Sequence, residues 1–277
     1  MPCEIQAVAS YPPYPHSGQP FLPSWIRIRH HVRRIALIPA RLGATRFPRK
    51  LLAPLGGKTV IRRTYEAVRD TGLFDAVLVV TDAEEIRAEI ERAGGEARMS
   101  RSDHESGTDR IAEVVEGIPA DLVLNVQGDE PFTRREPLER LLAAFEGPGA
   151  EEVGVASLMQ ELHDPALVKD PNYVKVAVDL AGNALFFSRS PVPYVRDPSV
   201  KPVFYEHIGV YAFRRDALLR FARLPAGPLE RAEKVECLRF LEHGIRMRMV
   251  ATDYMGVEID TPEDLRRAER LLAGEHP

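Results

Sequence analysis

The stretch RIALIPARLGATRFPRK, residues 34 to 50, starts as a strand and finishes as a cationic loop. Arg34-Ile35-Ala36-Leu37-Ile38 is a short apolar run of the kind that lies inside a sheet covered on both faces. The residues after it carry Arg41, Arg46, Arg49 and Lys50 on a segment with Gly43 and two prolines. In an open parallel sheet, ligands bind beyond the carboxyl ends of the strands, so this loop stands where an anion would lie. Arginine pairs bidentately with phosphate oxygens and lysine offers a compact point charge, which makes phosphate the expected ligand. A solvated basic turn is the plainer alternative; its place after a first strand favours phosphate.

Downstream, the pattern repeats. KTVIRRTYEAVRDT, residues 58 to 71, has apolar residues at helical spacing and stops at Gly72, and Ala76 to Val80 is a second strand. Asp82 is expected to cap a helix through about Arg92, followed by a short strand over Glu96 to Met99, a helix over Thr108 to Glu116 and a strand over Leu122 to Val126. Strands alternating with helices predict an α/β fold with a mostly parallel central sheet and helices on both faces.

The second half is less regular. Strands are expected at Val153 to Leu158, Val174 to Val178, Leu185 to Phe187, Ile208 to Phe213 and Ile245 to Val250, with an amphipathic helix over Pro228 to Glu242. Thr261-Pro262-Glu263-Asp264 opens a last helix, with Thr at the cap and Pro in the first turn. This half is expected to shape a specificity pocket.

Two phosphate-binding motifs are excluded. GGKT at Gly56 to Thr59 imitates the end of a P-loop, but Leu52 stands where that motif needs glycine, and no G-x-G-x-x-G follows a strand. GGKT reads instead as a turn into the next helix. In NVQGDEP, residues 125 to 131, Asp129 and Glu130 follow a glycine at the carboxyl end of a strand, and Asp260 ends a second apolar segment, MGVEID. Acids at strand ends beside a cationic loop suit Mg²⁺, which takes hard oxygen ligands from one or two carboxylates and the remainder from phosphate and water. Asp260 as a helix-capping acid is the competing account. Neighbours on a turn point in different directions, so Asp129 is the better ligand of its pair.

Composition narrows the function classes. The 277 residues are 44% hydrophobic with a net charge of -4, enough for a sizeable core and without the basic excess of a nucleic-acid binder. Only Cys3 and Cys237 are present, so neither a disulfide framework nor a cysteine metal cluster is expected, in keeping with a reducing cytoplasm. No stretch approaches the roughly 20 apolar residues of a membrane span. Residues 1–33, with their prolines and a basic IRIRHHVRR, are read as a flexible N-terminal extension before one domain over residues 34–277.

Seven segments resemble the motifs of the 3-deoxy-manno-octulosonate (KDO) cytidylyltransferases: IPARLGATRFPRKLL, RSDHESGTDRIAEV, NVQGDEP, FFSRSPVPY, HIGVYAF, PLERAEKVECLRFLEHG and IDTPEDL, in order from about Arg34 to Leu272. The resemblance implies a nucleotide-diphospho-sugar transferase-like fold that joins CTP to KDO, with Mg²⁺, as a homodimer in lipopolysaccharide biosynthesis. It implies that Arg41, Arg46 and Lys50 hold the triphosphate, that Arg101, Ser106, Gly107, Thr108, Arg110 and Gln127 border the nucleotide, and that Asp129 and Asp260 hold the metal. Lys50, Asp129 and Asp260 would then be the catalytic residues. Arg189, His207, Tyr211 and Glu236 fall on the sugar side. Two departures stand out: Ala44 where the family usually has serine, and Cys237 where it commonly has glutamine near the sugar. His104 is read as a surface or structural histidine. The rival functions are cytidylyl transfer to another acidic sugar, such as sialic acid or an amino analogue of KDO, and a non-catalytic nucleotide-binding protein.

Overall fold

Strand β1 (Arg34–Ala40) is buried along nearly its whole length because helices cover both of its faces: Ile35 and Leu37 point into one apolar cluster, Ala36 and Ile38 into the other. A computed structural model describes residues 31–43, 46–104, 106–253 and 256–274. The expected extension therefore lies outside the described residues but for its last three, and one compact unit begins at Val32. After β1 the chain makes a single 3-10 turn at Lys50–Leu52, then the small hairpin β2 (Pro54–Leu55) and β3 (Lys58–Thr59). Gly56 and Gly57 form that hairpin's turn at φ 53° and 80°, values that glycine reaches without strain. Thr59 closes the hairpin and caps α1 (Val60–Asp70), its hydroxyl accepting from the Arg62 N–H, so GGKT is a turn into a helix as expected.

The chain continues through β4 (Ala76–Thr81), α2 (Glu84–Arg92), β5 (Glu96–Met99), α3 (Gly107–Val115), β6 (Leu122–Asn125), α4 (Arg135–Ala143), β7 (Val155–Leu162), α5 (Pro165–Lys169), β8 (Lys175–Val178), β9 (Ala184–Ser188), β10 (Phe204–Arg214), α6 (Arg215–Phe221), α7 (Pro228–Glu233), α8 (Cys237–Glu242), β11 (Met247–Ala251) and α9 (Pro262–Leu272). The sheet runs β11-β7-β10-β6-β1-β4-β5, and along it β10 alone is antiparallel to its neighbours. β8 and β9 form a hairpin attached to the start of β10. Helices α1, α2, α4 and α9 pack on one face, and α3, α6 and α8 on the other. This is the expected mostly parallel α/β sheet covered on both sides.

Three local expectations give way. The residue that caps α2 is Ala83, because the Asp82 carboxylate is engaged by Arg110 at 3.2 Å. The single helix expected over Pro228 to Glu242 is two, α7 and α8, broken at Lys234, which sits in the left-handed region at φ 54°. The break has a cause: Arg189 donates to the carbonyls of Glu233 and Lys234, while the Glu242 carboxylate accepts from the Leu229 and Glu230 N–H groups at the start of α7. Finally, β10 is 11 residues long, about twice the expected strand, with a register shift between Ile208 and Tyr211.

Phe240 on α8 stacks on Phe221 of α6 with ring centroids 3.9 Å apart, both rings fully buried. Phe240→Ala should lower unfolding free energy by about 3–5 kcal/mol, read from urea denaturation.

Candidate active site

Three chain segments meet at the carboxyl ends of the central strands. The first is the loop after β1, which turns back through Lys50. The second is Gln127-Gly128-Asp129 after β6, held close because the Thr64 hydroxyl of α1 donates to the Gly128 carbonyl at 2.8 Å. A Cβ on Gly128 would stand 3.0 Å from the Pro39 carbonyl oxygen, so a side chain here would press on the β1 end and glycine lets the two loops lie close together. The third is Glu258-Ile259-Asp260 before α9; the Ile259 N–H donates to the Asp129 carbonyl at 3.0 Å, which pins the segment against the second. Thr261 and Asp264 then close a capping box that starts α9 directly after Asp260.

Lys50 ties these segments together. Its Nζ donates to Asp129 at 2.5 Å and to Asp260 at 2.6 Å, and Arg46 donates to the other Asp260 oxygen at 2.5 Å. Burial alone would weaken the Lys50 ammonium, but the two carboxylates outweigh it and raise its pKa above the ordinary lysine value. Glu258 is pushed up to about 8 by burial and by the charges of Asp129 and Asp260, and Glu130 up to about 7 chiefly by burial. One carboxylate oxygen from each of Asp129, Glu258 and Asp260 lies within 4.8 Å of the others. This all-oxygen, multiply charged set suits a hard divalent cation, with the Lys50 ammonium already standing in as the positive charge. Glu258 is the member that sequence reasoning missed; it lies two residues before Asp260, in the alternation of an extended segment that turns both side chains the same way.

A cavity of about 350 Å³ opens from this cluster. Arg41, Arg46 and Lys50 line it, as do His104, Ser106, Gly107 and Arg110, and Gln127 is shared with a second cavity. Ser106 caps α3, so the nucleotide-side residues sit at a helix start. Arg110 is buried, with its charge facing Asp82 and an N–H donated to the Ser100 hydroxyl at 2.7 Å. Glu113 would be raised by burial, but the His104 hydrogen bond and the Arg101 N–H hold its carboxyl below the usual range. Two expected residues do not reach the cavity wall. Arg101 is 69% exposed and turns to Asp103 and Glu113, and Thr108 lies behind the wall, donating to Glu236 at 2.7 Å. Arg49 also turns away, pairing with Glu85 of α2.

The second cavity, about 280 Å³, adjoins the first and shares Gln127, Asp129 and Glu258 with it. His207, Tyr211 and Glu236 all line it, as does Cys237. The Tyr211 hydroxyl meets the Cys237 sulfur at 3.2 Å, and His207 Nε2 meets the Ser157 hydroxyl at 2.9 Å. Burial pushes the Cys237 thiol well up and keeps it neutral. Glu236 Oε1 is buried without a hydrogen-bond partner among the described residues. Arg189 is not brought to this cavity: its guanidinium is committed to the carbonyls of Pro171, Glu233 and Lys234. Lys234 lines it instead, carried there by the helix break, which no sequence signal announced.

Fold and site together define a nucleotidyltransferase, and residues 35–249 match the family model described as Cytidylyltransferase. A 3-deoxy-manno-octulosonate cytidylyltransferase of Christiangramia forsetii is 52% identical over 241 residues, spanning 87% of this chain and 97% of that protein. One of Flavobacterium johnsoniae is 52% identical over 238 residues, 86% and 98% respectively. The chain belongs to the 3-deoxy-manno-octulosonate cytidylyltransferase family. Its fold matches a solved structure of CMP:2-keto-3-deoxy-manno-octonic acid synthetase complexed with CTP, with a TM-score of 0.82 and 37% identity over 88% of this chain and 100% of the other. Among the described residues, no helix is long and apolar enough to cross a membrane.

His207 is pushed down to about 4 by burial, below the ordinary value near 6.5. The unfolded chain then takes up a proton that the folded chain refuses, so stability is intact above about pH 6.5 and falls by up to about 3 kcal/mol as pH drops to about 4. In His207→Gln, denaturation followed across that range should lose this share of the pH dependence.

Proposed function

We propose that the chain transfers CMP from CTP to KDO, giving CMP-KDO and pyrophosphate for lipopolysaccharide biosynthesis. The observation that carries this reading is the meeting of two cavities at one charged cluster, with Gln127, Asp129 and Glu258 on both walls. A nucleotide in the first cavity lays its phosphates on Arg41, Arg46 and Lys50, which leaves its α-phosphate at the junction. A sugar in the second cavity presents its anomeric hydroxyl to that phosphorus from the side opposite the leaving pyrophosphate. The bond from anomeric oxygen to phosphorus forms as the bond to the pyrophosphate oxygen breaks, the hydroxyl proton passes to solvent or to the departing pyrophosphate, and no protein nucleophile takes part.

Asp129 and Asp260, with Glu258 beside them, are the residues that would hold Mg²⁺, which when bound neutralises phosphate charge and acidifies the attacking hydroxyl. Lys50 is released from its two carboxylates toward the phosphates, and with Arg41 and Arg46 it meets the charge that builds on pyrophosphate. On the sugar side, Glu236 offers an unpaired oxygen to substrate hydroxyls, and Lys234 supplies positive charge on a wall otherwise rich in acids. Neutral His207 and Tyr211 complete that wall. The reading includes a homodimer, a cytoplasmic location and a single catalytic domain over residues 34–277.

A second acceptor has one specific observation behind it. Cys237, on the sugar cavity wall, replaces the glutamine common in the family, so another acidic sugar is the alternative substrate. Pyrophosphate release from CTP and Mg²⁺, compared with KDO, sialic acid and no sugar, decides between them: release only with KDO supports the first reading, and release only with another sugar replaces it. Asp129→Asn should reduce turnover by about 100-fold or more while CTP affinity changes by less than about threefold. An Asn variant of near wild-type activity would remove Asp129 from the mechanism.

A further inference from the structure

Thr108 does not reach the first cavity, where the sequence places it; its buried hydroxyl donates instead to Glu236 Oε2 at 2.7 Å. The next residue, Asp109, has its Oδ1 3.5 Å from Nη1 of Arg239. Glu236 stands at the start of α8 and Arg239 lies three residues further on, so the two share a face of that helix. Two consecutive residues in the first turn of α3 thus meet α8 as two rungs of a ladder.

The second rung is firmly held. The Arg239 side chain is only 5% exposed, and its guanidinium forms a bidentate pair with Glu230 of α7 at 2.8 and 2.6 Å while lying 4.7 Å from the Phe221 ring of α6. Asp109 in turn accepts from the Ser106 hydroxyl at 2.9 Å. One buried arginine therefore fastens α3, α7 and α8 together. Ser106 and Gly107 of this frame line the first cavity, and Lys234, Glu236 and Cys237 line the second. Thr108 also accepts from the Asn125 amide at 3.4 Å, and Asn125 accepts from Gln127, which stands on both walls. The group the frame holds most directly is the Glu236 carboxyl: Thr108 engages Oε2, while Oε1 is buried without a partner among the described residues.

Resting on the transfer reading above, we propose that Thr108 and Arg239 are positioning residues for recognition of the acidic sugar. Thr108 holds the Glu236 carboxyl directly, Arg239 keeps α3 and α8 at the spacing that lets Thr108 reach it, and Glu236 meets the acceptor with its remaining oxygen. Neither Thr108 nor Arg239 touches a substrate. A residue that acts through another loses its effect once that other is removed, whereas one that only stabilises the fold does not.

A double-mutant cycle reads this difference. Pyrophosphate release is measured for the full chain, for Thr108→Val, Arg239→Met and Glu236→Ala, and for each of the first two combined with Glu236→Ala, with CTP and with KDO or whichever acidic sugar supports release. Thr108→Val and Arg239→Met should each raise the acceptor KM about tenfold with the CTP KM within about threefold; in the Glu236→Ala background the same changes should raise it by less than about twofold. Equal factors in both backgrounds, parallel rises in the CTP and acceptor KM values, or an acceptor KM within about twofold of wild type in the single variants would overturn the proposal. Thermal melts show which variants fold. Arg239→Met leaves Glu230 and Asp109 without their cation, and if it does not fold, Thr108→Val, which removes a hydroxyl and no charge, decides by the same cycle. A wild type that releases no pyrophosphate with any acidic sugar ends the transfer reading and this proposal with it, whereas an active wild type with equal factors in both backgrounds ends this proposal alone.

Discussion

One ammonium group keeps three carboxylates in company. Asp129 comes from one segment and Glu258 and Asp260 from another more than a hundred residues later, and the repulsion among the three opposes the convergence of the two segments. Lys50 offsets that repulsion by bonding to two of the three, and the backbone contact from Ile259 to Asp129 fixes the register between their segments. On the proposed reading, the lysine that bonds to Asp129 and Asp260 is also the one that a phosphate would draw away, leaving the carboxylates for a metal.

Around that point the fold divides its labour. The half built from β1, β4, β5 and β6 supplies the cationic loop and the start of α3, all at strand ends facing one way. The second cavity is walled by β10 and by the joint between α7 and α8. Gln127 stands on both walls, its amide donating to the Asn125 side chain and to the Gly209 carbonyl of β10, so the two halves are joined by hydrogen bonds where their ligands would touch.

The parts legible in the sequence were those set by local periodicity or by position at a strand end. β1, α1, β4 and the Thr261 cap are short-range patterns, and Lys50, Asp129 and Asp260 lie where an open sheet places ligands. What escaped depends on contacts distant in sequence. The break at Lys234 needs Arg189, about 45 positions earlier, and Asp82 leaves its capping position because Arg110 arrives from another helix. Arg189 itself illustrates the limit of motif reasoning: a segment can match a family while the structure commits its side chain to backbone carbonyls. Glu258 was within reach of simple alternation from Asp260, and His104 required the packing of Glu113 to be seen as buried.

The single reversed strand has a consequence for how such a protein diversifies. β10 enters the sheet against the direction of its neighbours, and the chain from β8 to α8 supplies most of the wall of the second cavity, with Gln127 and Asp129 coming from before that stretch and Glu258 from after it. On the proposed reading, a change within that stretch, such as the thiol at position 237, would reshape the acceptor's cavity and leave the loop after β1 in place. On that reading, the acceptor could change by substitutions in one stretch of the chain while the donor side is kept.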